Sequence, residues 1–322
     1  MKKFFALILA LVMALSLVAC GDSSDNGGSS AKMRFVTGGE SGTYYAFGSV
    51  IAQHATNNAG IDVVGLVGNG SQANIQELQA GNAELAFCQS DVMAYAYEGT
   101  NIFDEKVDCF STVAALYTEQ VQIVTVDPSI KTVADLKGKN VSIGAAGSGV
   151  YFSAVDILSV YGLDVEKDIN PTYQSFGDSA DSLKDGKIDA AFIVAGAPTT
   201  AVTDLATTKA VSLVSLDDEH INKLLESSPY YAKCVIPADV YGLDADVTTV
   251  GVGAVILARD DVSEDAIYAL CADIFDNAPD LVSNHAKYGE LSLEYAASIT
   301  SVPYHAGAVK YFAEHDLTVA GK

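Results

Sequence analysis

The chain has 322 residues, 49% of them hydrophobic and 18% charged, enough apolar material for a sizeable core and too much for disorder over the whole length. Its 41 Asp and Glu face 18 Lys and Arg, a net charge of −23, and only two of the basic residues are arginines, Arg34 and Arg259. Such a chain lacks the clustered cations that neutralise phosphates, which excludes a general nucleic-acid binder and a basic patch for an anionic membrane.

The first twenty residues set the expected compartment. Lys2 and Lys3 precede an apolar run from Phe4 to Val18 broken only by Ser16, too short for a membrane span and followed by a polar stretch. This is the pattern of an export signal. Leu17-Val18-Ala19-Cys20 resembles a bacterial lipobox, which implies a signal peptide over 1–19, lipidation of Cys20 by acyl chains such as palmitate, and cleavage before it. The mature chain would carry 16 basic and 41 acidic residues, a charge of −25. Two acyl chains suffice for stable anchoring. Residues 20–31 then read as the lipidated cysteine and a flexible Gly/Ser/Asp linker with no apolar anchor.

From residue 33 the pattern alternates strand and helix. Strands are expected over 33–37, 62–67 and 84–89, and helices over 43–56, from Ser71 to a stop at Gly81, and near 91–98. That order argues for a mostly parallel sheet with helices on both faces. Residues 110–126 read as two β-rich pieces that cross to a second lobe. There a helical turn is expected over 131–139, a strand over 141–144, and a helix opened by Gly147-Ser148-Gly149 and stopped at Gly162. Residues 188–195 and 211–216 read as further strands. An apolar run over 248–258 returns the chain, and helices follow from Ser263 with breaks at Pro279 and Pro303. The expected architecture is two α/β lobes joined by two crossings, with lobe I formed by 32–116 plus 250–322 and lobe II by 117–249.

Ligands in open α/β sheets sit beyond the carboxyl ends of the strands, where helix N-termini point their free N–H groups. Four such turns, at 39–45, 68–74, 89–90 and 144–151, combine Gly with hydroxyl and amide side chains. Any one alone is ordinary connection chemistry. Four at one topological position point to a cleft that takes a carboxylate or amino-acid-like solute on neutral donors, since neither arginine falls in these turns. Tyr44 or Tyr45 would cover the ligand, Asn74 and Gln89 would orient its polar groups, and Ser148 with the following amides would hold its anionic end.

Nothing in the pattern asks for catalysis, a metal or a cofactor. The five His show no paired spacing, no CxxC occurs, and Ser148 does not meet the G-x-S-x-G elbow. The four remaining cysteines, Cys88, Cys109, Cys234 and Cys271, permit two disulfides in three connectivities.

Thr37-Gly38-Gly39-x-x-Gly42-Thr43-Tyr44-Tyr45-x-x-Gly48 resembles the opening signature of TAXI-type solute-binding proteins of TRAP transporters. Gly70-Ser71-x-x-Asn74-Ile75-x-x-Leu78-x-x-Gly81-x-Ala83-Glu84 through Gln89-x-Asp91 is similar to that family's second block. Asp135-Leu136-Lys137-Gly138-Lys139 with Gly147-Ser148-Gly149 is similar to the third, and Gly186-x-Ile188-Asp189 through Gly196-x-Pro198 to the fourth. Pro303-x-His305-x-Gly307-Ala308 is similar to its tail. The chain departs from the pattern at Val150, where a Thr is usual, at Thr118 between Tyr117 and Glu119, and at Ala306.

The resemblance covers about 33–315 and implies a type II periplasmic-binding-protein-like fold. It implies an extracytoplasmic, monomeric receptor, not an enzyme, anchored at the cell membrane, that closes over a small solute and delivers it to an ion-gradient-driven TRAP permease. Glutamate, glutamine, or a 2-oxo or dicarboxylic acid is the implied cargo. The implied ligand residues are Gly42, Thr43, Tyr44, Tyr45, Ser71, Asn74, Gln89, Ser148, Gly149, Val150, Gly196 and Pro198. An ABC-type or sensor-linked binding protein of the same fold is the alternative.

Overall fold

The computed structural model describes residues 32–322; the expected signal peptide, Cys20 and the linker lie outside the described residues. The chain begins as β1 (Met33–Val36), α1 (Thr43–Asn58), β2 (Val63–Leu66), α2 (Ser71–Gln79), β3 (Leu85–Gln89) and α3 (Ser90–Glu98), close to the strand–helix alternation expected from sequence. β1 lies between β2 and β3, parallel to both, so all three strands direct their carboxyl ends the same way.

Two long antiparallel strands, β4 (Phe110–Thr125) and β10 (Val247–Arg259), carry the chain across. The sequence suggested two β-rich pieces over 110–126. They are one 16-residue strand, because the polar break at Thr118-Glu119-Gln120 stays in the ladder with Gly251–Gly253 of β10. The register of that ladder shifts at Ala254/Val255 and Ile256/Leu257. Such bulges bend a strand and strengthen its twist.

Beyond the crossing come β5 (Asn140–Ser142), α4 (Val150–Val160), β6 (Asn170–Thr172), α5 (Phe176–Lys184), β7 (Ala190–Ala195) and α6 (Thr200–Ala206). β8 (Ser212–Leu213), α7 (Asp218–Ser227) and β9 (Ala232–Ile236) complete the stretch before β10. The strand expected over 211–216 shrinks to two residues beside β4. Five elements escaped the sequence reading, β6, α5, α6, α7 and β9, three of them for an evident local reason. β6 contains Pro171, tolerated because β6 is the edge strand of its sheet. α5 and α7 are polar helices whose N-caps, Ser175 and Asp217, hydrogen-bond the Asp178 and His220 amides. The strand order is β2-β1-β3-β10-β4-β7-β5-β6, with β8 on β4 and β9 on β10.

After β10, α8 (Glu264–Asp276) starts at Ser263, whose hydroxyl accepts from the Ala266 amide, and α9 (Ala278–Leu281) takes Pro279 in its first turn. α10 (Leu293–Ala296) and α11 (Ala306–Glu314) follow. The buried cores divide along the crossing strands. One gathers Phe35, Phe47, Leu116, Ile256 and Tyr311, the other Val121, Ile143, Ile157, Phe192 and Val252. Phe152 of α4 instead packs with Val92 and Met93 of α3, tying the two sides together. All four cysteines among the described residues are free, so the permitted bridges are not formed. No described helix is long and apolar enough to cross a membrane.

Candidate functional site

A cleft of about 220 Å³ opens where the carboxyl ends of β1, β2 and β3 face those of β5, β6 and β7. That is below the roughly 300–1,000 Å³ of drug-sized pockets, so the cleft suits a small metabolite. Residues 38–44, 68–71, 89 and 119 line it from one side, with Ala145, 148–150, 175–177 and 194–195 opposite.

Four helices begin at this cleft, α1 after Gly42, α2 after Gly70, α3 after Gln89 and α4 after Gly149, and no side chain caps any of them. Their first-turn N–H groups and positive dipole ends are therefore available to whatever the cleft encloses. Only α3 has an acid in its first turn, Asp91. Both arginines are spent at the opposite end of the sheet. Arg34 bonds Glu84 at 2.6 and 3.0 Å, and Arg259 bonds Asp261 and the Ala83 carbonyl. Polar groups reach the cleft from backbone N–H groups and neutral side chains, and neither arginine lines it.

Three buried side chains bring unpartnered polar atoms to the lining: the Tyr44 hydroxyl, the Gln89 Nε2 and the Ser148 Oγ. Each is positioned from behind. The Tyr44 ring stacks on Phe87 with centroids 4.5 Å apart. Ser71 Oγ accepts from the Gln89 amide at 3.0 Å and donates to Gln89 Oε1 at 3.4 Å, which leaves Gln89 Nε2 free. Ser148 sits in the tight turn between Gly147 and Gly149, where Gly147 has φ +82°.

Glu119 is the residue that sequence reasoning missed. It is 2% exposed, lies at the cleft floor in the middle of β4, and was noted only as part of a family motif. The one charged residue in a 16-residue strand was the available signal. Burial pushes its carboxyl well above the usual range and Asp91 adds to the push, while the neighbouring Tyr44 hydroxyl and the Lys287 ammonium pull the other way. Phe176 and Gly177, at the start of the unanticipated α5, also belong to the lining.

Of the twelve residues expected to bind the solute, Gly42, Thr43, Tyr44, Ser71, Gln89, Ser148, Gly149 and Val150 line the cleft. Four do not. Tyr45 lies on another face of α1, half-buried. Asn74 is wholly enclosed and donates to the Thr37 and Phe87 carbonyls at 2.5 and 2.9 Å, bracing β1 against β3. Gly196 gives its carbonyl to Thr43 Oγ1 at 2.8 Å, and Pro198 is exposed outside the lining.

The two sides touch around the cleft. Besides Thr43 and Gly196, the Ala73 amide donates to the Gly147 carbonyl at 2.9 Å and the Ala201 amide to the Ser41 carbonyl at 3.2 Å. Lys287, 3% exposed, donates to the Ala197 carbonyl at 3.0 Å. This is a closed arrangement, with a small polar cleft shut between two bodies.

Comparison with known proteins bears on the family and the fold. The family described as NMT1-like matches residues 35–315. MatC from Rhodopseudomonas palustris, solved with bound malate, is 16% identical with a TM-score of 0.54, covering 80% of this chain and 88% of MatC. A protein of Bordetella bronchiseptica is 17% identical, also with a TM-score of 0.54, covering 88% of this chain and 89% of its own. At these identities the likeness is one of fold, and the fold is that of type II periplasmic binding proteins.

Proposed function

The chain belongs to the NMT1-like family, and on that footing we propose that it is an extracytoplasmic solute receptor that closes two lobes over a small carboxylate-bearing solute. One observation carries this reading. Four uncapped helix N-termini and three unpartnered buried donors meet in a small cleft that both bodies enclose.

The Tyr44 hydroxyl, Gln89 Nε2 and Ser148 Oγ would each donate to solute oxygens, and the Gly149 and Val150 amides would hold a carboxylate. A solute that contacts both bodies binds the closed state better than the open one, and only that difference shifts the population. Release then needs the lobes to be pulled apart, which fits a receptor that hands its cargo to a membrane protein.

The finer reading follows from the TAXI-like motifs. Cargo would be glutamate, glutamine, or a 2-oxo or dicarboxylic acid, delivered to a TRAP permease driven by an ion gradient, without turnover of the cargo. Cys20 would carry the lipid anchor that holds the chain, a monomer, at the outer face of the cell membrane. A Cys20→Ala change should release the protein from membranes. A gene for a multi-span permease beside this one, with no ATPase, is the expected setting.

Calorimetric titration with L-glutamate, L-glutamine, 2-oxoglutarate and malate tests the proposal. Saturable one-to-one binding of one class supports it. Hydrolysis or transfer of the ligand during the titration, or binding that prefers uncharged sugars, counts against it.

A further inference from the structure

The two bodies close the cleft through walls of two kinds. One wall is polar. A Cβ on Gly70, just before α2, would stand 3.0 Å from Ser148 Cα, and the Gln89 carboxamide meets Gly149 in the same turn. The other wall is apolar. The Phe176 ring, at the start of α5, faces Gly42, where a Cβ would stand 3.4 Å from both Cδ2 and Cε2. Phe176 packs in one core cluster with Val194 and in another with Ala195. Both partners are buried at the end of β7, and all three residues line the cleft.

The charges of the lining leave room for one carboxylate. Glu40, at the exposed rim, and Glu119, at the floor, are the only charged side chains in it, and no Lys, Arg or His joins them. Lys287 lies outside the lining and is engaged by Glu290 at 2.5 Å and the Ala197 carbonyl at 3.0 Å. The helix starts are also unequal. α3 carries Asp91 in its first turn, the Ala73 amide of α2 is given to the Gly147 carbonyl, and α1 begins under the Phe176 ring. The start of α4 is left for an anion. A second carboxylate would lie beside an acid or against Phe176 with no cation to pair it, which is strongly unfavourable in an enclosed site. An aliphatic group in the same place gains by leaving water.

Given the receptor activity, on which this rests, we propose that the solute is a short-chain monocarboxylate whose aliphatic end lies against Phe176, Val194 and Ala195. Its carboxylate lies on the Gly149 and Val150 amides. Phe176 sets the length of chain that the closed cleft accepts, because its ring meets Gly42 of the other body and leaves no path past it.

Two matched pairs of acids read the far end of the solute alone. They are 2-oxovalerate against 2-oxoglutarate and L-norvaline against L-glutamate, each pair differing only in a terminal methyl or carboxylate. Each acid is titrated calorimetrically into the full-length chain. In whichever pair binds, the methyl-ended member should bind at least about tenfold tighter. Equal or tighter binding of 2-oxoglutarate or L-glutamate overturns the proposal and leaves the receptor reading standing. Absence of binding by all four acids overturns the proposal and counts against the receptor reading too.

Phe176→Ala opens the apolar wall. Its affinity for 2-oxooctanoate should rise at least about fivefold over that of the wild type, while its affinity for 2-oxovalerate falls by about as much. No gain for the longer acid overturns Phe176 as the residue that sets chain length. Should Phe176→Ala fail to fold, the wild-type pairs decide alone.

Discussion

Gly149 and Gln89 meet across the cleft so closely that a Cβ on Gly149 would stand 1.4 Å from the Gln89 carboxamide oxygen and 2.8 Å from Ser71 Oγ. Gly149 has φ −71°, a conformation that alanine adopts freely. Gly149→Ala therefore leaves the turn unstrained and obstructs only the approach of the two bodies. Overpacking of this kind costs about 1–3 kcal/mol. The expected outcome is solute affinity weakened by roughly 10- to 100-fold, with the far-UV spectrum and ligand-free melting temperature close to those of the wild type. An unchanged affinity in calorimetry would show that closure is not needed for binding.

The unpartnered donors give a second prediction. Hydrogen bonds to a charged group contribute about 1.5–3 kcal/mol each. Ser148→Ala and Tyr44→Phe should therefore each weaken binding of a carboxylate solute by about 10- to 150-fold. Asn74→Ala should act differently, lowering stability through the lost brace between β1 and β3 before it touches the solute. Comparing melting temperature with affinity for the three variants separates the two roles.

Glu119 makes the closed state sensitive to pH. Its closed-state pKa is raised by burial, so the closed protein binds a proton more readily than an open one in which the carboxyl meets water. Closure then takes up a proton. The stabilisation is present at low pH and is lost as pH rises from the ordinary Glu range through the raised value. Affinity for an anionic solute should fall with rising pH, by at most about tenfold per unit. Glu119→Gln, a stand-in for the neutral acid, should flatten that slope. A slope of the opposite sign would mean that Glu119 is ionised against a cationic group of the solute.

Lys287 is a buried ammonium that reaches from one body to the Ala197 carbonyl of the other and pairs with the half-exposed Glu290 at 2.5 Å. Lys287→Met keeps the aliphatic packing and removes the bond across the cleft. Glu290 can regain water, so the cost falls mainly on closure. Affinity should weaken by about tenfold, the equivalent of 1.4 kcal/mol, with the solute-free fold retained. Stopped-flow dissociation should show the loss as a faster off-rate.

Much of this was legible in the sequence where local chemistry decides structure. The Gly-Ser turns before helices placed eight of the twelve expected residues at the cleft, because a strand end, a glycine and a helix start fix one another. Asn74 and Gly196 were misplaced for a shared reason. Sequence shows the polar group but not the carbonyl or hydroxyl that already engages it. Glu119 and Phe176 were missed because one sits mid-strand and the other opens a helix with weak apolar content, and only tertiary closure brings them to the cleft. The Pro303–Ala308 motif proved to be packing. A Cβ on Gly307 would stand 2.2 Å from the Glu264 carbonyl, so glycine lets α11 lie against α8.

Ligand-stabilised closure is most directly tested by small-angle X-ray scattering of the wild type and Gly149→Ala, each with and without the solute that calorimetry selects. The radius of gyration of the wild type should fall when the solute saturates it, while that of Gly149→Ala should stay at the open value at the same solute concentration. Saturable binding with no change in the wild-type radius, or equal compaction in both proteins, would contradict closure as the mechanism of capture.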